Sequence, residues 1–135
     1  MREVLIDTDI FSYYLKGERT VVKQILAYTK HYPILNLSSI TYYEILSGLE
    51  HKQAAKQIKV FEQVLTKCKI INIDKPSMKL SAIEYGRLKR NGITIGNSDL
   101  LIAGVALSHQ LNLVTNNTRH FKHINGLNLL NWQST

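Results

Sequence analysis

The sequence predicts an α/β protein, a three-layer sandwich with a mainly parallel central sheet flanked by helices. Three observations carry that expectation. Short apolar runs alternate with longer stretches of helical periodicity along the chain. The stretch 100–107 is apolar on nearly every face, as a helix buried against a sheet requires. A length of 135 residues with 44% apolar content suits one compact domain, 1–135, with a single core.

The elements follow in order. Residues 4–6, 34–37, 70–73 and 113–115 are short and apolar, the pattern of buried parallel strands, and 127–130 adds an edge strand. Between them, 8–15, 20–31, 39–49, 53–67, 77–90 and 98–110 read as helices. Ile58, Phe61 and Leu65 form an apolar stripe on the fourth. Ser38 or Ser39 is placed to cap the helix carrying Glu44, and Asn97 or Ser98 the one carrying Asp99. Gly104 and Ala106 allow close approach of that last helix to the sheet. No linker, repeat or low-complexity stretch interrupts the pattern.

Composition narrows the function classes. Seventeen Lys and Arg against ten acids give a formal net charge of +7, which favours nucleic acid or an acidic partner. No apolar run approaches a bilayer span, and the chain enters a strand-like run directly after Met1, so a cytoplasmic protein without membrane contact is expected. One cysteine, Cys68, leaves no intrachain disulfide and no thiolate-rich zinc site. Its neighbours Lys67 and Lys69 would lower its pKa, although an inert thiol is the better expectation.

The few acids are placed tellingly. Asp7 and Asp9 follow the first strand, Glu44 lies in the third helix, and Asp99 opens the all-apolar helix. Each has an ordinary reading alone: a helix cap, an exposed helix acid, a first-turn dipole residue. Together they cost desolvation and repulsion unless a cation offsets them. Open parallel sheets bind ligands beyond the carboxyl ends of their strands, where Asp7 and Asn117 fall. A divalent cation inside a surface that attracts polyanions is the expected arrangement.

The segments Leu5-Ile6-Asp7-Thr8-Asp9, Tyr43-Glu44-Ile45-Leu46-Ser47-Gly48-Leu49, Asp99-Leu100-Leu101-Ile102-Ala103 and Leu113-Val114-Thr115-Asn116-Asn117-Thr118-Arg119-His120-Phe121 resemble a PIN-domain ribonuclease. The resemblance extends from about residue 4 to Trp132 and is nearest to VapC-type toxins of bacterial toxin–antitoxin pairs. It implies a metal-dependent endoribonuclease using Mg²⁺, or Mn²⁺ as a substitute. Asp7, Glu44 and Asp99 match the family's metal-binding acids, with Asp7 and Asp99 taken as ligands. Asn117 stands where many members have a fourth acid. Asp9 stands where Asn is frequent, so charge lost at one position is expected to return at the other. Thr8, Asp9 and Thr115 are expected to hydrogen-bond the ligands. The resemblance also implies a VapB-like antitoxin and a homodimer.

The RNA backbone is assigned to Lys52, Lys56, Lys59, Arg87, Lys89, Arg90 and Arg119. Tyr13, Tyr14, Tyr42 and Tyr43 are expected in the core or a dimer face, Trp132 against the C-terminal edge. His109, His120 and His123 lack metal-ligand spacing, with His120 a candidate phosphate contact. Two rival functions stand beside the nuclease: a haloacid-dehalogenase-type phosphatase using Asp7 within Asp7-Thr8-Asp9, and a non-catalytic nucleic-acid-binding module.

Overall fold

The computed structural model describes residues 2–133, so the expected domain of 1–135 extends past it at Met1, Ser134 and Thr135. The first half runs β1 (Val4–Ile6), α1 (Thr8–Leu15), α2 (Arg19–Thr29), β2 (Leu35–Ser38), α3 (Ser39–His51) and α4 (Ala55–Leu65). The second half runs β3 (Cys68–Ile71), α5 (Lys75–Arg90), α6 (Asn97–Ser108), β4 (Asn112–Val114), α7 (Thr118–Phe121) and β5 (Leu129–Leu130). The five strands form one sheet in the order β3-β2-β1-β4-β5. Every pairing is parallel, with Leu5 opposite both Asn36 and Leu113.

Alternation along the strands divides the core in two. Val4, Ile6 and Val114 face one side, joined by Phe11, Ile25, Tyr28 and Phe61 from α1, α2 and α4. Leu5 and Leu113 face the other, joined by Leu88, Ile102, Val105 and Phe121 from α5, α6 and α7. A period of two on short buried strands therefore produces the three layers. Trp132 closes the first layer against Tyr28, with ring centroids 5.4 Å apart.

Several boundaries differ from the sequence reading. The third strand begins at Cys68 and stops at Ile71, because its ladder with β2 ends where Ser38 turns into α3. Ile73 instead gives its N–H to Ser39 Oγ. Ahead of α5, Asp74 caps through Ser77 N at 3.0 Å and Pro76 fills the first turn, so that helix starts at Lys75. Gln53, at φ 52°, breaks the chain between α3 and α4. The four-residue α7 was absent from the sequence reading, being too short for periodicity to register. Ser38, of the two serines offered, caps α3 by accepting from Thr41 N at 3.1 Å. Neither Asn97 nor Ser98 caps α6; Gly96 occupies that position with no side-chain bond.

Gly104 does permit a close approach, but to α5 rather than the sheet. A Cβ there would overlap Ser81 Oγ and the Ser77 carbonyl. Ser81 Oγ in turn donates to Leu100 O at 2.7 Å, stitching the two helices together.

Arg87 also departs from expectation. Its guanidinium donates to Glu84 at 2.8 and 3.0 Å and to the His123 carbonyl at 2.6 Å, while Glu84 Oε1 accepts from Asn125 N. The guanidinium holds the Glu84 carboxyl below its usual range. Arg87 thus braces the second half of the fold and is not free for RNA. Arg87→Ala is expected to destabilise by about 2–3 kcal/mol, since it strands a buried carboxylate. Denaturant unfolding checks this, and RNA affinity of the folded fraction is expected to stay unchanged.

Cys68 is pushed up to about 11 by burial, and its thiol reaches Val64 O at 3.4 Å. Desolvation overrides the flanking lysines. Tyr13, Tyr14 and Tyr42 pack on the first core layer, whereas Tyr43 is 69% exposed, because successive helix positions face different sides.

Candidate active site

The strand order reverses direction at β1, which lies between β2 and β4. Ligand sites of open parallel sheets form beyond the carboxyl ends of the strands at such a point. Asp7 follows β1 directly, and its N–H donates to Val114 O of β4 at 2.9 Å. The loop after β4 delivers Asn116 and Asn117 beside it. Asp99 reaches the same place from the first turn of α6, and Glu44 from α3. Asp7, Asp9, Glu44 and Asp99 line one open cleft of about 670 Å³, together with Asn117 and Arg119.

Each carboxylate is held by identifiable bonds. Asp7 accepts from Thr8 N at 2.9 Å, so it is the cap of α1 as well as a cleft residue. Its other oxygen accepts from Thr115 Oγ1 at 2.7 Å. Thr115 Oγ1 also accepts from Asn117 N at 2.9 Å, tying the two positions together. Asp9 accepts from Ile10 N at 2.7 Å and Asn116 N at 3.1 Å. Thr8 Oγ1 donates to Glu44 Oε1 at 2.6 Å. Asn117 Nδ2 donates to Asp99 Oδ2 at 3.3 Å and lies 3.0 Å from His120 Nδ1.

Burial, with neighbouring charge at Asp7 and Asp99, disfavours the ionised acids. Burial, then the charge of Asp9, pushes Asp7 up to about 7, against the bonds from Thr115 and Thr8. Burial raises Asp9 as well. Asp99 is raised by burial and then by Glu44, and pulled back by His120. Among the described residues no ion pair reaches these four groups. A cation would relieve the repulsion.

The donor set selects which cation. All the acids offer oxygen, the choice of hard Mg²⁺ or Mn²⁺. Among the described residues no three His, Cys, Asp or Glu side chains close into a metal cage. Oxygen donors so spaced would suit a hard ion that retains waters and takes one or two carboxylates.

Residues 4–127 match the PIN domain family. The chain belongs to the PIN-domain family. Among PIN-domain relatives, ribonuclease VapC1 of Haemophilus influenzae (strain R2866) is 30% identical over 132 residues, 95% of this chain and 96% of that protein. The tRNA(fMet)-specific endonuclease VapC of Shigella flexneri is 28% identical, across 98% of this chain and 99% of the other. In solved structures, the PIN fold recurs in DNA-bound VapBC from Salmonella typhimurium, with a TM-score of 0.87, 27% identity and coverage of 98% and 99%. VapBC2 from Rickettsia felis, bound to a promoter DNA fragment, gives 0.84, 28%, 96% and 98%.

Of the basic residues assigned to RNA, Arg119 lines the cleft. Lys52 lines an adjoining apolar groove that shares Thr8 and Glu44 with it. Lys56 and Lys59 are exposed on α4, and Lys89 and Arg90 on α5, with the Lys89 ammonium 5.8 Å from the Tyr85 ring centre. His120 adjoins the site, whereas the His123 carbonyl accepts from Arg87 in the brace that links α5 to the segment after α7. Sequence reasoning missed functional candidates in Thr41 and in Asn116, whose N–H holds Asp9. The Ser38-x-x-Thr41-x-x-Glu44 spacing was the available signal for the first; the second is a backbone contact with none.

Proposed function

We propose that this PIN-domain protein is a metal-dependent endoribonuclease, the toxin of a toxin–antitoxin pair. The observation that carries the reading is the convergence of four carboxylates, none in an ion pair among the described residues, in one cleft of a protein with net charge +7. Asp7 and Asp99 would hold the cation, Glu44 would complete the shell or orient the attacking water, and Asn117 would position a water or the phosphate. A bound divalent cation supplies an activated water and neutralises charge on the scissile phosphate. Thr115 and Thr8 fix the carboxylates, and Arg119 at the cleft wall attracts the RNA backbone.

Three kinds of support favour this over the rivals. Ribonuclease activity is what the VapC relatives are named for. One structural neighbour is a toxin–antitoxin complex from Klebsiella pneumoniae and others are VapBC assemblies, which supports a VapB-like antitoxin as the partner; a homodimer is what the family resemblance adds. The phosphatase needs a lysine at the acidic cleft, and among the described residues none lines it. No described helix is long and apolar enough to cross a membrane.

RNA ends sequenced after brief expression, beside an Asp7→Asn control, test the reading, with tRNA(fMet) as the first purified substrate. Metal-stimulated cleavage that the control lacks supports it. RNA binding without cleavage in Mg²⁺ or Mn²⁺ returns the binding module to first place.

Asp9 offers a separate check on the charge exchange with Asn117. Asp9→Asn keeps a carbonyl to accept from Ile10 N but removes one charge from the cleft. Mg²⁺ affinity by calorimetry is expected to fall about tenfold, the size of supporting-shell losses. Unchanged affinity would end the exchange idea.

A further inference from the structure

We propose that Ser38 and Thr41 are positioning residues for Glu44, acting through a one-way chain of hydroxyls that ends on its carboxylate. The proposal rests on the nuclease reading above and assigns two residues to it.

The chain is short and continuous. Ser38 Oγ lies 3.3 Å from Thr41 Oγ1, Thr41 Oγ1 lies 3.0 Å from Thr8 Oγ1, and Thr8 Oγ1 lies 2.6 Å from Glu44 Oε1. A hydroxyl carries one proton and two acceptor sites. Thr8 cannot give its proton to both Thr41 and Glu44, and a carboxylate only accepts, so Thr8 donates to Glu44. It must then accept from Thr41. Thr41, its own proton spent on Thr8, accepts from Ser38. Ser38 Oγ completes the count by accepting from Thr41 N at 3.1 Å, as the cap of α3. Every proton has one destination, and the direction runs from the cap to the cleft.

Burial makes that direction hard to reverse. Ser38 and Thr41 are both 0% exposed, so no water competes for their hydroxyls. Hydrogen bonds in such a chain polarise one another. Thr41 and Glu44, three apart on α3, share one helix face, and Thr8 meets both from the first turn of α1. The helix cap, a purely local device, thereby fixes which way Glu44 points into the cleft. Hydroxyls that merely satisfied each other would need no terminus on a cleft carboxylate.

Thr41→Val keeps the shape of the buried side chain and removes the middle donor. Mg²⁺ affinity by calorimetry is expected to fall about threefold to tenfold. RNA cleavage is expected to lose about tenfold in kcat, with KM for RNA unchanged within about twofold. Thr41→Ser is expected to restore both to within about twofold. Thr8→Val, cutting the last link at a half-buried position, is expected to reproduce the loss and serves if Thr41→Val does not fold. In a Glu44→Gln background Thr41→Val is expected to change neither quantity further, since its effect passes through Glu44. Wild-type Mg²⁺ affinity and kcat in both valine variants would overturn the proposal, as would an undiminished effect in the Glu44→Gln background. Because Mg²⁺ affinity is read without RNA, the proposal stands or falls even where no RNA is cleaved.

Discussion

Asp7→Asn is expected to abolish RNA cleavage while making the metal-free protein more stable at neutral pH. The loss should reach about 10³-fold, the equivalent of roughly 4 kcal/mol of transition-state charge stabilisation. The gain has a different origin. Burial and the neighbouring Asp9 push Asp7 up to about 7 in the folded chain, from an ordinary value of 3.8. A carboxyl raised on folding binds its proton more tightly in the native state. Its contribution is fully present below the unfolded value and is lost as pH rises toward the folded one. Metal-free wild type should therefore be more stable near pH 5 than at pH 7.5, by on the order of 2–3 kcal/mol from this group at most.

Asparagine carries no charge and avoids that loss. Its oxygen still accepts from Thr8 N, and its amide can donate to Thr115 Oγ1, so the cap survives. A net stabilisation of about 2 kcal/mol at pH 7.5 is expected, shrinking toward zero near pH 5. Thermal melts in chelator at both pH values, beside initial cleavage rates, measure the pair. Mg²⁺ should raise the wild-type melting point at pH 7.5 and leave the variant nearly unmoved. A variant that still cleaves RNA, or is less stable at pH 7.5, contradicts the assignment of Asp7. A group that weakens the empty fold and is indispensable to the reaction is the usual mark of a site rather than a scaffold.

Gly104→Ala is the second large effect, and it acts on the scaffold. The new methyl would overlap Ser81 Oγ and the Ser77 carbonyl. Ser81 could turn aside, at the loss of its bond to Leu100 O, but the Ser77 carbonyl belongs to the backbone of α5. The helices must part, and about 3 kcal/mol of stability should go with them. Gly48→Ala is the matched control. It also lies within a helix, meets nothing within 4 Å, and should gain about 0.5–1 kcal/mol through helix propensity. Equal responses at the two glycines would refute the close α5–α6 contact. Because α6 carries Asp99 in its first turn, surviving Gly104→Ala protein should also bind Mg²⁺ more weakly.

Much of this was legible in advance, for definite reasons. Strands such as Val4–Ile6 are apolar at every position because both faces of a parallel sheet are covered, and that pattern is local. Helix bodies were equally plain, but their ends were not. Asp74 and Gln53 set boundaries through a cap bond and a left-handed backbone, which apolar periodicity does not register. Arg87 looked like its basic neighbours on α5; it pairs with Glu84 on the same helix, but the His123 carbonyl it also holds comes from beyond α7, which local pattern does not register. The direction of Gly104 misled for the same reason: a glycine announces close approach without naming what approaches.

Local chemistry by itself determined the sandwich, the positions of the four acids and their kinship to a nuclease family, because periodicity and residue type are written one position at a time. Only the folded chain decided that those acids share a cleft, that Asp7 is both helix cap and the most strongly perturbed of them, and that hydroxyls from α1 and α3 meet on Glu44. Distances between side chains remote in sequence come from packing and strand order, and the energies of buried charges follow those distances.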